Sequence, residues 1–140
     1  MIISSRNKEN VDQTVKEFKE SGHDVIGIAC DVVKAEDRKK LINLTIEKYG
    51  KIDYFVANAG INSHGGKFTE AEDSEIRYMW ELNYFSTYFM IQEVLPHLKK
   101  SSHGAIIIIS SILAYQFTPL LSHYSMTKLA LIGMGKVLSR

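Results

Sequence analysis

Along the chain, short runs of consecutive apolar residues alternate with longer stretches whose apolar positions recur every three or four residues, the two periods that mark strands and amphipathic helices. Met1-Ile2-Ile3-Ser4-Ser5 reads as a strand. Asn7 can cap a helix whose Val11, Val15 and Phe18 share one face until Ser21-Gly22 ends it. A second strand is predicted over 25–30. A second helix follows Asp31, with Leu41, Ile42, Leu44, Ile46 and Tyr49 as its apolar positions and Gly50 where a C′ glycine is favoured. A third strand over 52–57 runs into Asn58-Ala59-Gly60. Beyond a polar loop containing Gly65-Gly66, a long helix is predicted from about residue 74 to about residue 95. Gly104 then opens a fourth strand over 105–111, whose unbroken isoleucines predict burial on both faces. The last stretch, through Tyr124 and Gly133, is helical.

Strands written as continuous apolar runs, each followed by a helix, predict an α/β doubly wound parallel sheet of the Rossmann type. Sheets of this kind bind ligands at the carboxyl ends of their strands. The polar residues after each run are therefore the informative ones: Ser5-Arg6-Asn7, Asp31, Asn58-Ala59-Gly60 and Ser110-Ser111. No Pro-rich, Ser-rich or repeated segment marks a boundary, so residues 1–140 are expected to form one domain.

Composition narrows the function. With 45% hydrophobic and 24% charged residues over 140 positions, the chain fits one globular domain. Its 17 Lys/Arg and 16 Asp/Glu are scattered, which argues against nucleic acid as a partner. The single Cys30 allows neither an intrachain disulfide nor a multi-cysteine zinc site, and suits a reducing compartment. The most apolar run, 105–109, is far short of the ~20 residues that span a bilayer, so no membrane span is expected. Arg6 follows Met1-Ile2-Ile3 too soon for the apolar core of a signal peptide, so the chain is not expected to be secreted.

The sharpest constellation is Ser111 at a strand end, Tyr124 thirteen residues on, and Lys128 one helical turn after the tyrosine. Tyr124 and Lys128, at i and i+4, share one helix face. A phenol of pKa ~10 is a poor acid–base group at neutral pH, but a neighbouring ammonium favours its ionised form. Ser111 could then hold a carbonyl oxygen while Tyr124 protonates it. The plain alternative is a surface helix contact. Asn83 falls on the apolar stripe of the long helix with Ile76, Met79, Trp80, Met90, Ile91 and Val94, and a buried amide needs partners. It either bonds a backbone carbonyl structurally or orders water and backbone near the lysine. Asn58-Ala59-Gly60 would let a ligand approach the backbone closely, or forms a simple turn. Asp31 could accept from an adenine amine or cap the following helix. Arg6 stands where an arginine can pair with a 2′-phosphate, or is solvated surface.

Together, Asn58-Ala59-Gly60, Asn83, Ser111 and Tyr124-Ser125-Met126-Thr127-Lys128, in this order and spacing, resemble the short-chain dehydrogenase/reductases over nearly the whole chain. Within that family, Ser4-Ser5-Arg6-Asn7, Ser110-Ser111-Ile112 and residues 124–133 are most similar to NADPH-dependent carbonyl reductases of the dehydrogenase/reductase member 4 type. The resemblance implies an oxidoreductase that moves a hydride between NADPH and a ketone or aldehyde, or the reverse from an alcohol. It implies Tyr124 as general acid/base, Ser111 as the group orienting the carbonyl, Lys128 as ligand of the nicotinamide ribose, and Asn83 in a proton relay through water. It places Ser5, Arg6 and Asn7 around the 2′-phosphate of NADP, and Asp31, Val32, Asn58, Ala59 and Gly60 along the rest of the cofactor, which Tyr124 and Lys128 also touch. Tyr84, Phe85, Tyr88 and Phe89 make the long helix aromatic around much of its circumference, so its outer face is covered either within one chain or, as the resemblance implies, by another subunit of a homo-oligomer. A cytoplasmic or peroxisomal location follows, although Leu138-Ser139-Arg140 does not match the peroxisomal tripeptide.

The chain departs from the family in lacking the Thr-Gly-x-x-x-Gly-x-Gly turn that cradles a pyrophosphate. Gly133 and Gly135 lie in the last helical stretch with Leu138 where a third glycine would stand. In a sheet of strand order 3-2-1-4-5-6 the four strands present would be the second to the fifth, falling into two pairs on either side of the first. The expectation is a fragment, and the competing function is a catalytically inactive module that at most binds other subunits.

Overall fold

The computed structural model describes residues 1–139 and divides into two compact units, the first spanning Met1–Ile52 and the second beginning at Asp53. Each is built on one pair of parallel strands, as the strand order above requires.

The first unit runs β1 (Ile2–Ser5), α1 (Lys8–Glu20), β2 (Ile26–Ala29) and α2 (Ala35–Tyr49). Ile2 lies opposite Ile26 and Ser5 opposite Ala29. Parallel neighbours need a crossover, and α1 supplies it. The helix starts where Asn7 Oδ1 accepts from the Asn10 amide at 3.1 Å. Its buried Val11 and neighbouring Val15 close on β2 at Gly27. A Cβ there would come within 2.7 Å of Val15 Cγ2 and closer still to Val11 Cγ1, so any side chain would push α1 off the strands. Gly50 ends α2 in the left-handed conformation, as its position predicts.

The second unit runs β3 (Tyr54–Ala57), α3 (Asp73–Trp80), α4 (Ser86–Leu98), β4 (Ala105–Ile108) and α5 (Ser122–Leu138). Short 3-10 turns lie at Phe68–Glu70, Ile112–Ala114 and Pro119–Leu121. The predicted long helix is present, but a π turn at Glu81–Phe85 separates α3 from α4. A π turn inside a helix is rare and concentrates at functional sites. The core is made by Met79, Leu82, Met90, Ile91, Val94, Leu98 and Leu131.

The expected burial of the fourth strand on both faces is not found. Ile107 is 49% and Ile109 40% exposed, and on β3 Tyr54 and Val56 are exposed with them. Successive side chains point to opposite faces. Helices α4 and α5 pack on β3 and β4, and the alternate positions Phe55, Ile106 and Ile108 are the more buried ones. The sheet of the second unit has two strands, and its helices pack on one face of it. No helix among them is long and apolar enough to cross a membrane.

Candidate functional site

The second unit brings Gly60, Asn83, Tyr124 and Lys128 together. Helix α5 sets Tyr124 and Lys128 one turn apart, and the lysine Nζ lies 5.7 Å from the centroid of the tyrosine ring. That separation is within the range of a cation–π contact. Lys128 is 3% exposed, and its ammonium donates to the Ile109 carbonyl at 3.0 Å, just beyond β4. Burial pushes the lysine below its usual value. One bond to Ile109 leaves the ammonium two further protons. The main chain of the same residue is also pinned, since Ser110 Oγ donates to the Lys128 carbonyl at 2.7 Å.

Asn83 sits in the π turn and is fully buried. Its Oδ1 accepts from the Ile61 amide at 2.8 Å, and its Nδ2 donates to the Ile61 carbonyl at 2.9 Å and to Thr127 Oγ1 at 2.9 Å. Both amide protons are therefore committed, and the side chain orders backbone. The Asn83 carbonyl accepts from Thr87 Oγ1 at 3.2 Å. Gly60 lies against this pair. A Cβ on it would stand 3.0 Å from Lys128 Nζ and 3.4 Å from Asn83 Oδ1, so the absence of a side chain is what leaves space beside the ammonium. Asn58 and Ala59 are exposed at the carboxyl end of β3.

Ser111 is extended and begins the 3-10 turn Ile112–Ala114, which packs on α5. Its Oγ accepts from the Leu113 amide at 3.2 Å. A hydroxyl that accepts in this way still has its proton to donate. Around it the connection to α5 is apolar and open to solvent, with Ile112, Tyr115, Phe117 and Leu120 all exposed.

The first unit holds the other candidates. Ser5 and Arg6 are exposed at the carboxyl end of β1, and Asn7 caps α1. Cys30 N donates to Ser5 O at 2.9 Å, which extends the strand pairing to the edge of Asp31. Asp31 does not cap α2, whose N-cap is Lys34. Its Oδ1 accepts from the Val33 amide at 3.2 Å, within the turn before the helix. The Asp31 amide in turn donates to Asp37 Oδ2 at 3.1 Å, and this bond, helped by Lys40 and Lys34, holds the Asp37 carboxyl below its ordinary value. The Val32 carbonyl is taken by Arg38, whose Nη1 donates to it at 2.9 Å and to Val33 O at 3.0 Å.

Two contributors escape a reading of the sequence. Thr127 looks like an ordinary polar residue inside the Tyr-x-x-x-Lys motif, and Ile61 contributes only through its backbone. Nothing in the local pattern marks either. Ser110, singled out by its place at the end of an apolar strand, acts by holding the Lys128 carbonyl.

The family model for short chain dehydrogenases matches residues 1–140, and the chain belongs to that family. It is 40% identical over 139 residues to tropinone reductase-like 3 of Erythroxylum coca, covering 99% of this chain and 53% of that protein. It is 34% identical over 139 residues to dehydrogenase/reductase SDR family member 4 of Homo sapiens, covering 99% of this chain and 50% of the relative. The chain thus spans about half the length of the curated relatives it matches. Among solved structures it superposes on ElxO with NADP bound at a TM-score of 0.85 and 33% identity, covering 95% of this chain and 54% of that one. It superposes on a 7 alpha-hydroxysteroid dehydrogenase complexed with NADH and 7-oxo glycochenodeoxycholic acid at 0.87 and 27% identity, covering 95% of this chain and 51% of the other. The fold is that of these nucleotide-binding α/β proteins, with small sheets.

Proposed function

We propose that the protein carrying this chain is an NADP-dependent oxidoreductase that interconverts a ketone or aldehyde and the corresponding alcohol through Ser111, Tyr124 and Lys128. The observation that carries this reading is the buried Lys128 ammonium at 5.7 Å from the Tyr124 ring centroid, beside a glycine whose missing Cβ leaves it uncrowded. Both units are assigned to one nucleotide-binding domain.

The residues fit a nicotinamide cofactor at Gly60, where a Cβ would fill the space next to Lys128 Nζ and Asn83 Oδ1. Lys128 would donate its remaining protons to a ribose hydroxyl, with Asn58, Ala59 and Gly60 offering close backbone approach. Ser5, Arg6 and Asn7 would take the 2′-phosphate, and Asp31 and Val32 the adenine side. NADPH, when bound, supplies the hydride.

The chain's own residues handle the oxygen. Ser111 uses its free hydroxyl proton to hold the carbonyl oxygen, and Tyr124 transfers a proton to the same atom as negative charge develops there. The Lys128 ammonium, beside the Tyr124 ring, stabilises the phenolate left behind. Asn83 takes part through its main-chain carbonyl, which can hold a water for reprotonation. The exposed apolar residues Ile112, Tyr115, Phe117 and Leu120 favour lipophilic substrates.

The test is loss of NADPH absorbance in the presence of a diketone. Turnover that depends on Tyr124 supports the reading, and neither turnover nor NADPH binding overturns it in favour of an inactive subunit-binding module. Subunit contact belongs to either reading. Trp80, Tyr84, Tyr88, Ile91, Met134 and Val137 line an apolar groove of α3, the π turn, α4 and α5, and we assign it to the same surface of a second copy. Sedimentation that returns only the monomer mass would remove this assignment.

A further inference from the structure

We propose that Thr127 is a positioning residue of the Tyr124–Lys128 site: its hydroxyl ties Asn83, and through it the Ile61 peptide, to the turn of α5 that bears both functional side chains. This rests on the oxidoreductase reading above.

The path is continuous and largely buried. Thr127 is fully buried, as is Asn83. Thr127 Oγ1 accepts from Asn83 Nδ2 at 2.9 Å and donates to the Tyr124 carbonyl at 2.8 Å. A hydroxyl has one proton and two lone pairs, so it does both at once, and neither an alanine nor a valine does either. Asn83 extends the path by closing on both backbone polar atoms of Ile61, its N–H and its C=O. Ile61 directly follows Gly60, the residue that leaves space beside Lys128 Nζ.

At the other end, the Tyr124 carbonyl is the one that, in an α-helix, accepts from the amide four residues on. Here that residue is Lys128, so the threonine hydroxyl bonds the carbonyl that ties the turn of the tyrosine to that of the lysine. Ser110 holds the far side of the same turn through the Lys128 carbonyl. The turn is thus fixed from two directions, by the end of β4 through Ser110 and by the β3 loop through Thr127. Reactive groups that must meet a substrate to well under 1 Å need such support from neighbours that never touch the substrate.

The experiment compares Thr127→Ala, Thr127→Val and Thr127→Ser with Ser86→Ala, which removes another buried hydroxyl, bonded to the Leu82 carbonyl and not to Asn83. Two quantities are read on the protein carrying this chain: amide hydrogen exchange at Ile61, and the kcat and KM of NADPH-dependent carbonyl reduction. Exchange at Ile61 is expected to accelerate about tenfold or more in the alanine and valine variants, since Asn83 Nδ2 loses its acceptor and the side chain that holds the Ile61 amide is no longer fixed. It should return close to the parent rate in the serine variant and stay unchanged in Ser86→Ala. The kcat should fall in the same two variants with little change in KM, and recover with serine. An unchanged Ile61 rate in Thr127→Ala, an equal acceleration in Ser86→Ala, or a parental kcat in Thr127→Ala each overturns the proposal while leaving the oxidoreductase reading standing. A parent protein with no reductase activity overturns that reading and the positioning role with it, whatever the exchange pattern.

Discussion

The Lys128 ammonium lies 5.7 Å from the centroid of the Tyr124 ring and donates to the Ile109 carbonyl, so one buried cation joins the end of β4 to the helix that carries the tyrosine. Burial disfavours its charge. The folded chain therefore releases that proton more readily than the unfolded chain does. Where the unfolded state binds more protons, stability rises with pH. The penalty is full at low pH and is relieved as pH climbs from the lowered folded value towards 10.5. Urea unfolding of the parent and of Lys128→Met from about pH 7 to about pH 10 should show the parent gaining relative to the variant. A constant difference would exclude a charged, desolvated lysine.

Tyr124→Phe keeps the ring and removes the phenolic proton. Carbonyl reduction should fall by roughly 10²-fold or more, the scale of a positioned general acid, while NADPH affinity changes little. Near-normal turnover across the pH range would take Tyr124 out of the mechanism.

Arg6→Ala distinguishes the two cofactors, because only NADPH presents a 2′-phosphate. A charge-assisted bond to it is worth roughly 1.5–3 kcal/mol. NADPH binding should weaken by that amount and NADH binding hardly at all. Equal weakening of both, measured by fluorescence titration, would place Arg6 in folding or in the shared part of the dinucleotide.

Ser125 is fully buried, and its hydroxyl has no hydrogen-bond partner among the described residues. Burying an unpaired hydroxyl costs about 1–3 kcal/mol. Ser125→Ala should raise stability by about 1 kcal/mol, read as a higher urea midpoint with unchanged slope. A lower midpoint would mean that the hydroxyl has a partner, such as a bound water.

Local chemistry made much of the fold readable. Asn7 and Gly50 bound helices because capping depends on single residue types, and the unbroken apolar runs marked all four strands. Tyr124 and Lys128 were legible as a pair because the spacing of a helix is fixed. The π turn was not, since Ile76, Met79, Asn83, Met90 and Val94 also satisfy a plain 3.6-residue period. Nor was Arg38, a helix residue that any polarity rule puts in water and that is buried against two carbonyls. Thr127 meets Asn83 across 44 positions of sequence, and no local pattern encodes such a meeting. Periodicity likewise failed for Ile107, because the covering of a strand depends on its neighbours in space and not on its own composition.

The strand registers differ in the length of chain each pair must close. Ile2 pairs with Ile26, whereas Tyr54 pairs with Ala105, so closing the second pair joins ends about twice as far apart along the chain. Doubling a loop adds about 0.6 kcal/mol of closure entropy. The second pair also waits for a longer crossover to form, and contacts distant in sequence slow a folding reaction. The N-terminal pair is also made first as the chain leaves the ribosome. Closure entropy and the order of synthesis thus both favour forming the pair that ends at Arg6 and Asp31 before the pair that closes Tyr54 onto Ala105.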